Sequence, residues 1–163
     1  MLARDAEPGS DVVPTMLILR GKAGYYDGKN WPRGALYEAP AIEYARRRGY
    51  DGKVLDIAGV AMEGSEQTKL ALAMFRQDAS VAAIYGFSAG GYNVYHFLQS
   101  LTPDEVLRLR LVVVLGAVPP PPTAHDFAAT QFKGSYELVY RGNPPAGHMA
   151  GPQALLDSLP KSA

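Results

Sequence analysis

The stretch Ile84-Tyr85-Gly86-Phe87-Ser88-Ala89-Gly90-Gly91 ends a short apolar run in Gly-x-Ser-x-Gly. It continues into Tyr92-Asn93-Val94-Tyr95-His96-Phe97-Leu98, which holds neither proline nor glycine. A nucleophilic serine must stand proud of a strand end, on a turn so tight that glycines are needed where side chains would collide. The pattern reads as a nucleophile elbow, with Val81 to Tyr85 as its strand and the residues after Gly91 as its helix. The chemistry implied is attack of Ser88 on a carbonyl carbon.

Such a serine needs a base, and the chain offers His96, His125 and His148. His96 lies eight residues beyond Ser88, ~12 Å farther along a helix axis, and reads as a core or surface histidine. His148 sits in Asn143-Pro144-Pro145-Ala146-Gly147-His148-Met149-Ala150-Gly151-Pro152, a loop shaped by glycine and proline on the edge of the sheet that carries the elbow. It is the first candidate base, ahead of His125. The third group is sought between Ser88 and His148. Asp126, carried beyond the stiff run Pro119-Pro120-Pro121-Pro122, is the leading candidate. The alternative reading makes Asp126 the cap of Phe127-Ala128-Ala129-Thr130. Asn143 is a further possibility, either orienting His148 through its amide oxygen or facing substrate. Asp104 and Glu105 read as helix-start residues, and Asp56 ends an edge strand ~10 Å from the elbow strand.

The elements that must position these groups alternate along the chain. Met16 to Leu19, Lys53 to Ile57, Val81 to Tyr85, Leu111 to Leu115 and Tyr136 to Tyr140 read as strands. Tyr37 to Arg48, Glu66 to Gln77, a helix opened by Thr102-Pro103-Asp104-Glu105, and Pro152 to Leu159 read as helices. This alternation predicts a three-layer α/β/α sandwich around a five-stranded parallel sheet in the order 2-1-3-4-5. In that order strands 1 and 3 are neighbours at the switch point, so the loop beginning Gly21-Lys22 meets the elbow. The backbone amides of Lys22 and Ala89 are then expected to converge on one developing oxyanion.

The 163 residues suit one domain, with residues 1–14 a loose lead-in and 15–163 the folded unit. Lys plus Arg and Asp plus Glu number 16 each, which leaves no basic excess for nucleic acid or anionic lipid. No apolar run reaches the ~18 residues of a membrane span, and the first residues lack a signal-peptide core, so a cytoplasmic protein is expected. No cysteine is present, which removes disulfides, a thiol nucleophile and thiolate metal sites; neither metal nor organic cofactor is expected. The loop Gly24 to Gly34 holds Tyr25, Tyr26 and Trp31, aromatics suited to stacking on a sugar or aryl group or to packing over the first helix.

Taken together, Leu19-Arg20-Gly21-Lys22, Leu55-Asp56-Ile57-Ala58-Gly59, Gly86-Phe87-Ser88-Ala89-Gly90 and Gly147-His148 make the chain resemble a minimal, lidless α/β-hydrolase of cutinase-like size. Two departures stand out: Arg20 replaces the family's usual histidine, and Asn143 occupies a common position of its acid. The resemblance implies a serine esterase or related acyl hydrolase in which Ser88 is acylated, His148 shuttles its proton and water releases the acyl group. A small-molecule or polymer-attached acyl group is the expected substrate. The alternative is a catalytically inactive binding module that keeps the fold; a phosphate site at the elbow helix has no Walker lysine or Gly-x-Gly-x-x-Gly to support it.

Overall fold

All seven residues of the strand Val81–Phe87 are buried, as are all five of Leu111–Leu115. Strands covered on both faces belong in the interior of a parallel sheet, and apolar, mostly β-branched runs such as Leu111-Val112-Val113-Val114-Leu115 suit them. The computed structural model describes residues 12–22, 31–116, 137–145 and 147–161. Within them run β1 (Thr15–Leu19), α1 (Trp31–Arg47), β2 (Asp51–Val54), α2 (Glu66–Gln77), β3 (Val81–Phe87), α3 (Ala89–Gln99), α4 (Pro103–Val106), β4 (Leu111–Leu115), β5 (Glu137–Arg141) and α5 (Gly151–Asp157). The strands form one five-stranded sheet in the order β2-β1-β3-β4-β5, and every pairing is parallel. This is the α/β sandwich that the alternation of elements predicts.

Strand side chains alternate between two cores. Leu17, Leu19, Ile84, Val112 and Val114 face one way, onto Ala71 and Phe75 of α2 and Val94, Phe97 and Leu98 of α3. Met16, Ile18, Ala83, Tyr85, Phe87, Val113 and Leu115 face the other, onto Ala41, Tyr44 and Ala45 of α1 and Leu155 of α5. The sheet is thus sealed on both faces, and its carboxyl-terminal edge is left as the place where loops gather.

Local chemistry sets most element ends. The Ser65 hydroxyl accepts from Thr68 N at 3.1 Å and caps α2. Thr102 and Glu105 form a reciprocal capping box on α4. Several element ends shift from the sequence reading by one or two residues, and two boundaries shift further. α1 begins at Trp31 rather than Tyr37, because Pro32 lies in its first turn, where a missing N–H breaks no helical bond. Pro40 is tolerated inside the same helix. β2 covers Asp51–Val54 rather than extending to Ile57: after Leu55 N reaches Ile18 O at 3.0 Å, the chain folds back so that Ile57 N meets Leu55 O at 2.8 Å. No helix among the described residues is long and apolar enough to cross a membrane.

Candidate active site

Ser88 has φ 58° and ψ −120° and is the one non-glycine residue with positive φ among the described residues. These angles are those of the first central position of a type II′ turn, where glycine is the usual occupant, and a side chain there is strained. The surroundings hold it in place. Ser88 N donates to Leu115 O of β4 at 2.8 Å, and Ser88 O accepts from Tyr92 N at 3.1 Å, the first turn of α3. A Cβ on Gly86 would lie 2.4 Å from Gly90 O, and one on Gly90 2.3 Å from Leu19 O, so strand, elbow and helix approach backbone to backbone. The serine side chain makes no cap bond to the helix it precedes.

His148 opens a short 3-10 turn, His148–Ala150, entered through Gly147 at φ 112°. Its imidazole stacks on the ring of Phe87, the residue before Ser88, with centroids 4.7 Å apart and planes 24° from parallel. Its Nδ1 lies 2.7 Å from Asn143 Oδ1. Since an amide oxygen only accepts, this contact places the proton on Nδ1 and leaves the Nε2 lone pair free to take another. Gly116, directly after β4, makes room for the pair: a Cβ there would sit 2.6 Å from His148 Cε1 and 2.8 Å from Nδ1. Burial lowers the His148 pKa, because the charged ring loses hydration, and neutral Asn143 offers no charge to oppose that shift. No hydrogen bond joins Ser88 to His148 in this arrangement of the described residues. A cavity of about 260 Å³ adjoins Asn143, walled also by Arg141, Pro144, Leu155 and Ser158.

The end of β1 lies on the other side of the elbow. A Cβ on Gly21 would be 3.3 Å from Ser88 Cβ, so the Gly21-Lys22 backbone passes directly beside the serine. Arg20 points away from it: Nε donates to Glu38 at 2.8 Å and a terminal nitrogen to Asp56 at 3.0 Å. Burial opposes the charge on this guanidinium, but the hydrogen bonds and charges of Glu38 and Asp56 prevail and raise its pKa. Arg20 therefore ties β1 to α1 and to the loop after β2. Beneath the site runs a buried amide pair. Gln67 Nε2 donates to Arg20 O at 2.9 Å and Ile57 O at 3.2 Å, and Asn93 Nδ2 donates to Gln67 Oε1 at 2.9 Å and Val60 O at 3.0 Å.

Of the residues singled out from sequence, Ser88, Ala89, Lys22, His148 and Asn143 gather at the carboxyl-terminal edge. Asn143 lies against His148, the orienting position, and also lines the adjoining cavity. Asp126, His125, Tyr25 and Tyr26 lie outside the described residues. Trp31 opens α1 instead of lying in a loop. His96 sits edge-on to Tyr92, centroids 4.8 Å apart, with a buried Nε2 that has no hydrogen-bond partner. The sequence reading missed Glu38, Gln67 and Asn93. For the amides a signal existed: Gln67 shares the buried face of α2 with Ala71 and Phe75 at intervals of four, and Asn93 precedes Phe97 by the same interval. Comparison with known protein families, with curated proteins and with solved structures finds no match.

Proposed function

We propose that the protein is a serine acyl hydrolase of the α/β-hydrolase type, with Ser88 as nucleophile, His148 as base and Asn143 as its orienting partner. The observation that carries this reading is the strained backbone of Ser88 at φ 58° and ψ −120°. Strain of this kind costs about 1–3 kcal/mol and persists only where surrounding structure enforces it, as the bonds of Ser88 to Leu115 and Tyr92 and the close backbone approaches at Gly86 and Gly90 do here.

In the reaction so assigned, Ser88 Oγ attacks the carbonyl carbon of an ester while its proton passes to His148 Nε2. The carbonyl oxygen becomes an oxyanion facing the N–H groups of Ala89 and Lys22. The imidazolium gives its proton to the leaving oxygen as the C–O bond breaks, leaving an acyl-enzyme and an alcohol. Water then attacks the acyl carbon with His148 again as base, and Ser88 is regenerated as the acid departs. Asn143 holds the Nδ1 proton throughout, but it stabilises the imidazolium less than a carboxylate would. The Ser88 to His148 hydrogen bond forms when substrate is seated, since such contacts are commonly loose in free enzymes.

Intact-mass detection of a fluorophosphonate adduct tests this without knowledge of the substrate. One adduct is expected on the wild type, none on Ser88→Ala, and a strongly slowed adduct on His148→Ala. The neutral partner at position 143 favours one rival, a binding module that has kept the fold and lost turnover. Folded wild-type protein that takes no adduct would establish that rival instead.

A further inference from the structure

Gln67 is 1% exposed and Asn93 0%, and the pair holds the Arg20 carbonyl, next to the Gly21 that passes beside Ser88. Polar side chains this deeply buried are costly unless their hydrogen bonds are made, so what they hold is informative. Both N–H groups of Asn93 are spent on Val60 O and on Gln67 Oε1. Both N–H groups of Gln67 are spent on carbonyls, Arg20 O at the end of β1 and Ile57 O in the loop after β2. Asn93 Oδ1 receives nothing. The pair is therefore built around its donors, and those donors anchor Arg20, the residue before Gly21, together with Ile57 and Val60 in the loop after β2.

The loop after β2 completes the anchor. Gly59 N donates to Gly21 O at 2.7 Å. In a planar trans peptide the carbonyl and the following N–H point in opposite directions. β1 lies between β2 and β3 in the sheet. A Gly21 carbonyl drawn toward the β2 loop therefore turns the Lys22 N–H toward the β3 side, where Ser88 stands. The fit is tight: a Cβ on Gly59 would lie 2.5 Å from Arg20 O and 3.1 Å from Gln67 Oε1, and one on Gly90 would lie 2.6 Å from Arg20 O.

We infer that Gln67, held by Asn93, is a positioning residue for the oxyanion hole: through Arg20 O, Ile57 O and the Gly59 to Gly21 bond it sets the peptide whose Lys22 N–H faces the reacting carbonyl. This rests on the serine-hydrolase reading. It makes the loop after β2 part of the reaction machinery through its backbone, by Ile57 O, Val60 O and Gly59 N.

The test uses the full chain and two variants. Gln67→Met removes both donors at similar volume, and Gly59→Ala pushes directly on the Arg20 carbonyl, which a Cβ there would approach to 2.5 Å. For each, kcat per fluorophosphonate-titrated site, KM for a p-nitrophenyl ester, Ki for a trifluoromethyl ketone and the pH profile are measured. Loss of a well-placed oxyanion donor lowers kcat by roughly 10²–10³-fold, so a partly displaced one should lower it by roughly 10–100-fold. The expected result is that loss per titrated site, with KM little changed, Ki weakened in parallel and the pH midpoint unmoved. A merely structural role would lower the number of titratable sites and leave kcat per site intact; that outcome in the variants overturns the inference while the wild-type adduct still stands. Should Gln67→Met fail to fold, Gly59→Ala decides by the same readings. A wild type that takes no adduct overturns the hydrolase reading and this inference with it.

Discussion

His148 Nδ1 and Asn143 Oδ1 are 2.7 Å apart, so the candidate base is oriented by a neutral amide. Geometry and charge, which a carboxylate would supply together, are separated here. Asn143→Asp adds the charge at the same place. It should raise kcat by about tenfold or more, since a negative partner stabilises the imidazolium formed in the transition state. Asn143→Ala should lower kcat, through loss of the tautomer and ring orientation. Steady-state kinetics on one activated ester would measure both.

The pH profile follows from the same contact. Burial holds the His148 pKa below its ordinary 6.5, so the neutral base persists into mildly acidic solution. The rate should rise with pH through a midpoint below that value. In Asn143→Asp the new negative charge favours the imidazolium, and the midpoint should move upward by roughly one unit. A profile of kcat/KM from pH 4 to 9 on both proteins would show it.

Gly116 is read as a steric requirement of the imidazole, since a Cβ there would come within 2.6 Å of His148 Cε1. Gly116→Ala should cut acylation by roughly 10²-fold, the size of loss expected from an ~1 Å misplacement of a catalytic group. The protein should still fold, and circular dichroism alongside the fluorophosphonate rate would separate the two effects.

Stability in acid should depend on the junction of α2 and α4. Arg76 donates to both oxygens of Glu105, at 2.8 and 3.1 Å, and the capping bonds with Thr102 add to this; together they hold the Glu105 pKa down to about 2. A carboxylate with a depressed pKa contributes stability that is fully present above its unfolded value, 4.5, and is lost as pH falls toward 2. Thr102→Ala should cost about 1 kcal/mol at pH 7. Glu105→Gln should flatten the decline below pH 4.5. Urea midpoints measured between pH 7 and 2.5 would test both.

Much of the architecture was legible because it rests on local patterns. Leu111 to Leu115 is a short apolar, Val-rich run of the kind that suits a doubly covered strand, and Thr102 with Glu105 spells out a helix start. The elbow was legible for the same reason: two glycines and a serine are needed at fixed spacing where strand meets helix. Partnerships that depend on which loops meet were not. Nothing near Gln67 in sequence reveals that its amide reaches Arg20, 47 residues away. Asn143 was visible as a candidate, but only the folding of its loop over Phe87 sets it on His148.

Among the described residues, Tyr85 OH joins Asn93 Oδ1 and His96 Nε2 as buried polar atoms that no hydrogen bond satisfies. Tyr85 OH is fully buried and has no hydrogen-bond partner. Tyr85→Phe removes a desolvated hydroxyl and little else, so it should leave stability unchanged or raise it by about 1 kcal/mol. Thermal or urea unfolding would register the sign.

The left-handed backbone at Ser88 sets durability against turnover. Glycine occupies φ 58° and ψ −120° without penalty, so Ser88→Gly should melt higher than the wild type, by about 2–4 °C for each kcal/mol released. The same change removes the only hydroxyl at the elbow. Among single changes at this position, the most robust chain and the reactive chain are different molecules, and a selection for thermal survival alone would drift toward glycine there.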